Sequence, residues 1–200
     1  KLGFKGNQIE YDDPRNSYLN EVIDRRLGIP ITLSIVYLTL GQKLDLPLAG
    51  ISFPMHFLVK YDTSAEPLFV DPFMEGIILQ QTDLAERLRQ VNKDPKALGT
   101  FLKTASTKQI LARMLRNLKQ IHHRNRAFSQ AIELGEKILW FQPDESYDHR
   151  ELGFLYYQIK DYHKSLQAFE TYLSLAANER EETDARHYIQ TLSSHLGTLN

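Results

Sequence analysis

Residues 30–44 hold Pro30, Ile31, Leu33, Ile35, Val36, Tyr37, Leu38 and Leu40, and no charged side chain before Lys43. At 3.6 residues per turn these positions cover nearly every face of a helix, and a helix apolar all round belongs inside a domain. The run is shorter than the roughly 18 residues of a membrane span. The rest of the chain therefore has to supply a shell around one central helix. Gly28 and Pro30 punctuate its start, glycine suiting the end of a preceding helix and proline the first turn of the next. That preceding helix is expected over 18–26, capped by Ser17, with Val22 and Ile23 buried.

The shell is expected from a small sheet. After the Asp45-Leu46-Pro47 break, residues 48–61 read as one strand and 67–71 as its antiparallel neighbour, across the polar loop Asp62–Glu66. Pairing Tyr61 with Glu66 sets His56 opposite Asp71; a slip of two residues keeps them on one face and a slip of one separates them. Residues 77–80 suggest a third short strand and 82–91 a helix. These elements make an α+β domain over residues 1–94. Residues 95–106, with Gly99 and a Ser/Thr-rich end, read as a linker.

From Thr107 to Asn200 the chain reads as all helix. Ile110, Leu111, Met114, Leu115, Leu118 and Ile121 form one apolar stripe, and four further helices are expected near 125–141, 144–158, 161–175 and 178–195. An internal comparison at 34 residues, the tetratricopeptide period, aligns Ala131 with Ser165, Gly135 with Phe169 and Pro143 with Ala177. The second unit carries Leu152-Gly153, Tyr156 and Phe169 close to the repeat's signature. The first has Lys119 where glycine is expected.

With those residues in place, the chain resembles the SirB family, a transglutaminase-like core followed by tetratricopeptide repeats. The likeness rests on Gly3-Phe4-x-Gly6-Asn7, Tyr11, Asp13-Pro14-x-Asn16-Ser17, Arg25-Arg26-x-Gly28-Ile29-Pro30, His56-Phe57 and Asp71-Pro72-Phe73. It implies a papain/transglutaminase-like fold, a central helix packed on a small antiparallel sheet. It also implies a segment upstream of Lys1. Such folds place a cysteine at the central helix N-terminus, a histidine on one strand and an aspartate on the next. The helix end lowers the thiol pKa, the histidine takes its proton and the aspartate orients the histidine. Carried over residue by residue, His56 matches the histidine and Asp71 the aspartate, while Pro30 takes the cysteine's slot. The chain holds no cysteine at all, so thioester transamidation and thiolate metal sites are excluded within it.

Replacements for the thiol are confined to Thr32 and Ser34, the hydroxyls of the same helix; with His56 and Asp71 they are the candidate catalytic residues. Thr32 lies about 200° around the helix from the slot and Ser34 a turn deeper, so the preferred reading of His56–Asp71 is a structural cross-strand pair. Arg25, Arg26 and Asn16 are candidate ligand-binding residues near the helix start, the arginines offering a fork to a carboxylate or phosphate. The simpler reading pairs an arginine with Asp13, Glu21 or Asp24 and makes Asn16, Ser17 and Asn20 turn and cap residues. His56 and Asp71 are too few to hold a metal, and no cofactor is expected.

Charge narrows the partners. The formal net charge is −1, which gives no global pull toward nucleic acid or an anionic membrane. Locally, Pro95–Ile132 contains eight Lys or Arg and no Asp or Glu, and Lys108, Arg113, Arg116, Lys119 and Arg124 suggest a stripe for an acidic partner or for the chain's own acidic repeats. No aromatic-rich basic surface accompanies it, which argues against nucleic acid. Stacked helix pairs bind peptides or partner helices, so the expected activity is binding or regulation of another protein by a degenerate transglutaminase-like domain, in the cytoplasm. The alternatives are a papain-like hydrolase or peptidase using Thr32 or Ser34, and a small-ligand sensor using the old cleft.

Overall fold

The computed structural model describes residues 2–63 and 66–199, and the chain forms two compact units, Lys1–Ile110 and Leu111–Asn200. The first unit opens with β1 (Lys5–Gly6), a 3-10 turn Pro14–Ser17, α1 (Leu19–Arg25), β2 (Leu27–Gly28) and the central α2 (Pro30–Lys43). It continues through β3 (Leu48–Ile51), β4 (Leu58–Tyr61), β5 (Leu68–Asp71), β6 (Ile77–Leu79), α3 (Gln81–Gln90) and the single turn α4 (Leu98–Phe101). Strands β3 to β6 form an antiparallel sheet in chain order, and β1 pairs in parallel with β2. The fold is the expected one, a transglutaminase-like α+β unit followed by tetratricopeptide helices.

Four local expectations are corrected. Residues 48–61 form a hairpin of β3 and β4 rather than one strand. Pro54 cannot donate to a ladder, and the chain reverses at Phe53–His56, where the His56 amide donates to the Phe53 carbonyl (3.1 Å). The register of β4 on β5 is Tyr61 opposite Leu68 and Val59 opposite Val70, two residues from the expected pairing, so His56 precedes the ladder. A slip of two keeps side chains on their faces; part of the loop between these strands, Ser64 and Ala65, lies outside the described residues. Ser17 does not cap α1: Tyr18 is the N-cap residue, and Arg26, at φ 56°, closes the helix in place of Gly28.

Burial of α2 is complete only at its start. Pro30 to Ser34 and Gly41 are buried, whereas Leu40 is 41% exposed and Leu44, just past the helix, 66%. The proposed linker is packed structure: Leu98, Phe101 and Leu102 lie against the core of Ile51, Phe53, Leu58, Phe69, Leu84 and Leu88. Thr104 bridges Ile51, and the Ala105 amide donates to the Gly50 carbonyl (2.8 Å). The spacing 98, 101, 102 is a helical apolar face, which explains why the stretch folds back instead of spanning.

The second unit contains α5 (Thr107–Arg124), α6 (Phe128–Phe141), α7 (Ser146–Gln158), α8 (Tyr162–Ser174) and α9 (Glu179–Leu199). The repeat glycines are contact points. A Cβ on Gly135 would lie 2.7 Å from Leu152, and one on Gly153 2.8 Å from Phe169. Phe154, Phe169 and Tyr188 stack with centroids 4.8–5.2 Å apart. Lys119, at the position where glycine is expected, is buried and donates to the buried Asp148 (3.1 Å).

Candidate functional site

The start of α2 is assembled from glycines and one threonine. A Cβ on Gly6 would lie 2.5 Å from the Phe73 ring and 2.6 Å from its carbonyl oxygen, and one on Gly28 2.8 Å from Thr32 Oγ1. The β1–β2 pair can therefore lie this close to the helix only because both positions lack a side chain. Thr32 Oγ1 accepts from the Ile29 amide (3.1 Å) and lies 2.8 Å from the Asn16 carbonyl, to which it donates. Ser34 Oγ donates to the Pro30 carbonyl (2.8 Å). Both side chains are fully buried, and neither hydroxyl hydrogen-bonds to His56.

Asn16 is a turn organiser. Its Nδ2 donates to the Glu10 and Tyr11 carbonyls (2.7 and 3.2 Å), and its Oδ1 accepts from Asn7 (3.2 Å). Arg25 bonds Asp13 (3.2 Å) and reaches Asn16 Oδ1 (3.5 Å), while Arg26 is exposed at the left-handed end of α1. The structure thus brings Asn16, Arg25 and Thr32 into one bonded loop-and-helix joint and keeps them apart from the His56 pair. Ser17 Oγ is buried with no partner among the described residues.

His56 and Asp71 do meet. His56 Nε2 lies 2.8 Å from Asp71 Oδ1, and Asp71 is fully buried at the end of β5. The same oxygen accepts from the Phe73 and Met74 amides (3.1 and 3.3 Å), capping the 3-10 turn Pro72–Met74. The other oxygen takes Arg87 Nη1 of α3 at 2.9 Å. Burial pushes the Asp71 carboxyl up, but the His56 bond and charge, and then those of Arg87, outweigh it and hold the group below the usual carboxylate range. An ionised Asp71 fixes the proton on His56 Nε2 and leaves the lone pair of the neutral ring on Nδ1. No described residue hydrogen-bonds Nδ1. Phe73 meets the imidazole edge-on at 6.0 Å and Tyr11 in turn meets Phe73 at 5.9 Å.

Arg87 was missed in the sequence, where its signal is positional: it lies beside Leu88 and three residues from Leu84, both fully buried, at the border of the apolar face of α3. An arginine there buries its stem and can aim its head at an internal carboxylate. Among the described residues no cluster of three His, Asp or Glu side chains could hold a metal ion, and no helix is long and apolar enough to cross a membrane.

The geometry agrees with what the chain is similar to. Residues 1–116 match the family model described as transglutaminase-like superfamily, and residues 118–190 match a tetratricopeptide repeat model. A UPF0162 protein of Xylella fastidiosa is 36% identical over 198 residues, covering 97% of this chain and 70% of the relative. A UPF0162 protein of Vibrio cholerae is 32% identical over 178 residues, covering 88% and 66%. Human F-box only protein 21 is 33% identical over 129 residues, 62% of this chain and 20% of that protein.

Proposed function

The chain belongs to the transglutaminase-like superfamily and to the UPF0162 proteins, and we propose that it acts by binding or regulating another protein, with the acyl-transfer chemistry of a papain-like fold lost. The finer likeness to the SirB family, carried by the ordered motif set, is part of this reading. One observation carries it: an oriented general base without a nucleophile. His56 is held by Asp71 and Arg87 with a free Nδ1. The cysteine slot holds Pro30, and the nearest helix hydroxyls, Thr32 and Ser34, are spent on backbone carbonyls. A base within about 3 Å of an attacking oxygen is the requirement for activation.

The Ser/Thr hydrolase reading needs Thr32 to leave the bonds that build the start of α2. The sensor reading loses Arg25 and Asn16 to internal partners. Tetratricopeptide repeats generally mediate protein interactions through stacked helix surfaces, and the second unit supports a protein as the partner. The test is turnover: p-nitrophenyl ester hydrolysis, labelled-amine incorporation and fluorophosphonate labelling by wild type and His56→Ala. Background rates, equal in both proteins, are expected. Any of these activities that disappears on His56→Ala overturns the reading.

A further inference from the structure

The edge of the His56 site carries more exposed apolar surface than a spent catalytic cleft requires. Met55 is 80% exposed although Phe53 and Phe57, two residues to either side, are buried. It is the third residue of the Phe53–His56 turn, behind Pro54, with φ 56°. That position of a proline-led turn favours glycine or asparagine. A long apolar side chain is thus held in a left-handed conformation and aimed at solvent next to the imidazole. Strained backbone beside a functional group is where a ligand-contact role is worth testing.

Two other segments continue the same edge. Met74 is 41% exposed, and its Sδ lies 3.8 Å from Gln8 Nε2. Tyr11 is 46% exposed and touches Phe73, which flanks His56. Thioethers adapt to varied apolar shapes and are over-used at peptide-binding surfaces. The loops that bear Tyr11 and Met74 also carry the exposed carboxylates of Glu10 and Glu75. At the centre, Nδ1 presents a single unsatisfied acceptor.

From this we infer that the edge formed by Met55, His56, Phe73, Met74 and Tyr11 is a subsite for a peptide segment of a partner protein. The segment has an apolar side chain against the two methionines, a backbone N–H donated to His56 Nδ1, and a flanking Lys or Arg near Glu10 and Glu75. The inference rests on the binding role proposed above and names the chemistry of its ligand.

The chain has three methionines, Met55, Met74 and Met114, so selective 13C-methyl labelling gives three signals, of which two report the subsite and the third is an internal control. The probes are Ac-Lys-Leu-Lys-NH2, Ac-Glu-Leu-Glu-NH2 and Ac-Lys-Ser-Lys-NH2, titrated to millimolar concentration. The first should shift Met55 and Met74 along one saturable curve with Met114 still, and the other two should bind roughly tenfold more weakly, a difference of about 1.4 kcal/mol. Met55→Gly, which relieves the turn, should keep or raise the Tm while the Met74 signal shows weakened binding; His56→Gln should weaken binding with the methionines intact. No saturable shift, equal shifts at Met114, or equal binding of the leucine and serine peptides overturns the inference. Such failure leaves the non-catalytic reading untouched, since only His56-dependent turnover defeats that.

Discussion

Asp71 and Asp148 illustrate how one residue type is used twice. Each is fully buried, and each is neutralised by two cations or rings aimed at opposite oxygens. Asp71 was legible from its His56 partner but not from Arg87, because a helix sixteen residues away gives no short-range signal. Asp148 was not legible at all. Lys119 reads in the sequence as a defect in the repeat and a member of a basic stripe, whereas its head is buried against Asp148, with Arg116 bonded to the same carboxylate through Nε (3.0 and 3.2 Å). The lysine compensates internally for a lost glycine and is unavailable to a partner. Breaking such a pair from one side strands the other charge, at about 3–5 kcal/mol, whereas replacing both ends with apolar groups of similar size is close to neutral. Asp148→Ala is therefore expected to lower stability by about that amount, and Lys119→Met combined with Asp148→Leu to recover most of it. Urea unfolding of the three proteins checks this; a double variant as unstable as Asp148→Ala would remove the account.

At the scale of elements, the helices were readable to within a few residues because each has its own periodic apolar face. The sheet was not. Strand identity in a chain this apolar depends on breaks, and the break at Pro54 was absorbed into one long strand. The register came out two residues off because a loop length, rather than a residue pattern, sets it. That His56 still reaches Asp71 follows from the pleat, since an even slip preserves the face. The start of α2 shows the opposite relation: Thr32 looked like a stand-in nucleophile, and it is a cap. It closes the helix end by accepting from Ile29 and ties the end to the preceding loop by donating to Asn16. Thr32→Val keeps shape and volume but leaves a buried amide and a buried carbonyl unpaired, each worth about 1–3 kcal/mol. We expect destabilisation of at least about 1 kcal/mol by urea titration, with no change in ester turnover. A stable Thr32→Val protein would mean that water or another donor takes over these groups.

For the molecule as a whole, the two buried carboxylates predict how it responds to acid. Burial raises both groups, and in each unit the cationic and hydrogen-bonding partners overcome it: His56 then Arg87 around Asp71, Arg116 and Lys119 around Asp148. Both carboxyls are held below their unfolded value of about 3.9. A group with a depressed folded pKa stabilises fully above its unfolded pKa and loses that contribution as pH falls through the folded one. Stability should hold flat from neutral pH to about pH 4 and then decline in both units. Asn at either position removes the charge at every pH, so the variant is weaker at neutral pH and its deficit shrinks in acid. Pulse-labelling hydrogen exchange after incubation at falling pH resolves the units: Asp71→Asn should flatten the pH dependence of protection over residues 68–74, and Asp148→Asn that over 116–148. A variant that keeps the wild-type acid slope in its own segment would show that the carboxylate there is not what titrates. A retained Asp71 relay accordingly has a structural reason to persist without a nucleophile. It holds β5, the Pro72–Met74 turn and α3 together, and it keeps one imidazole lone pair facing outward for whatever the unit binds.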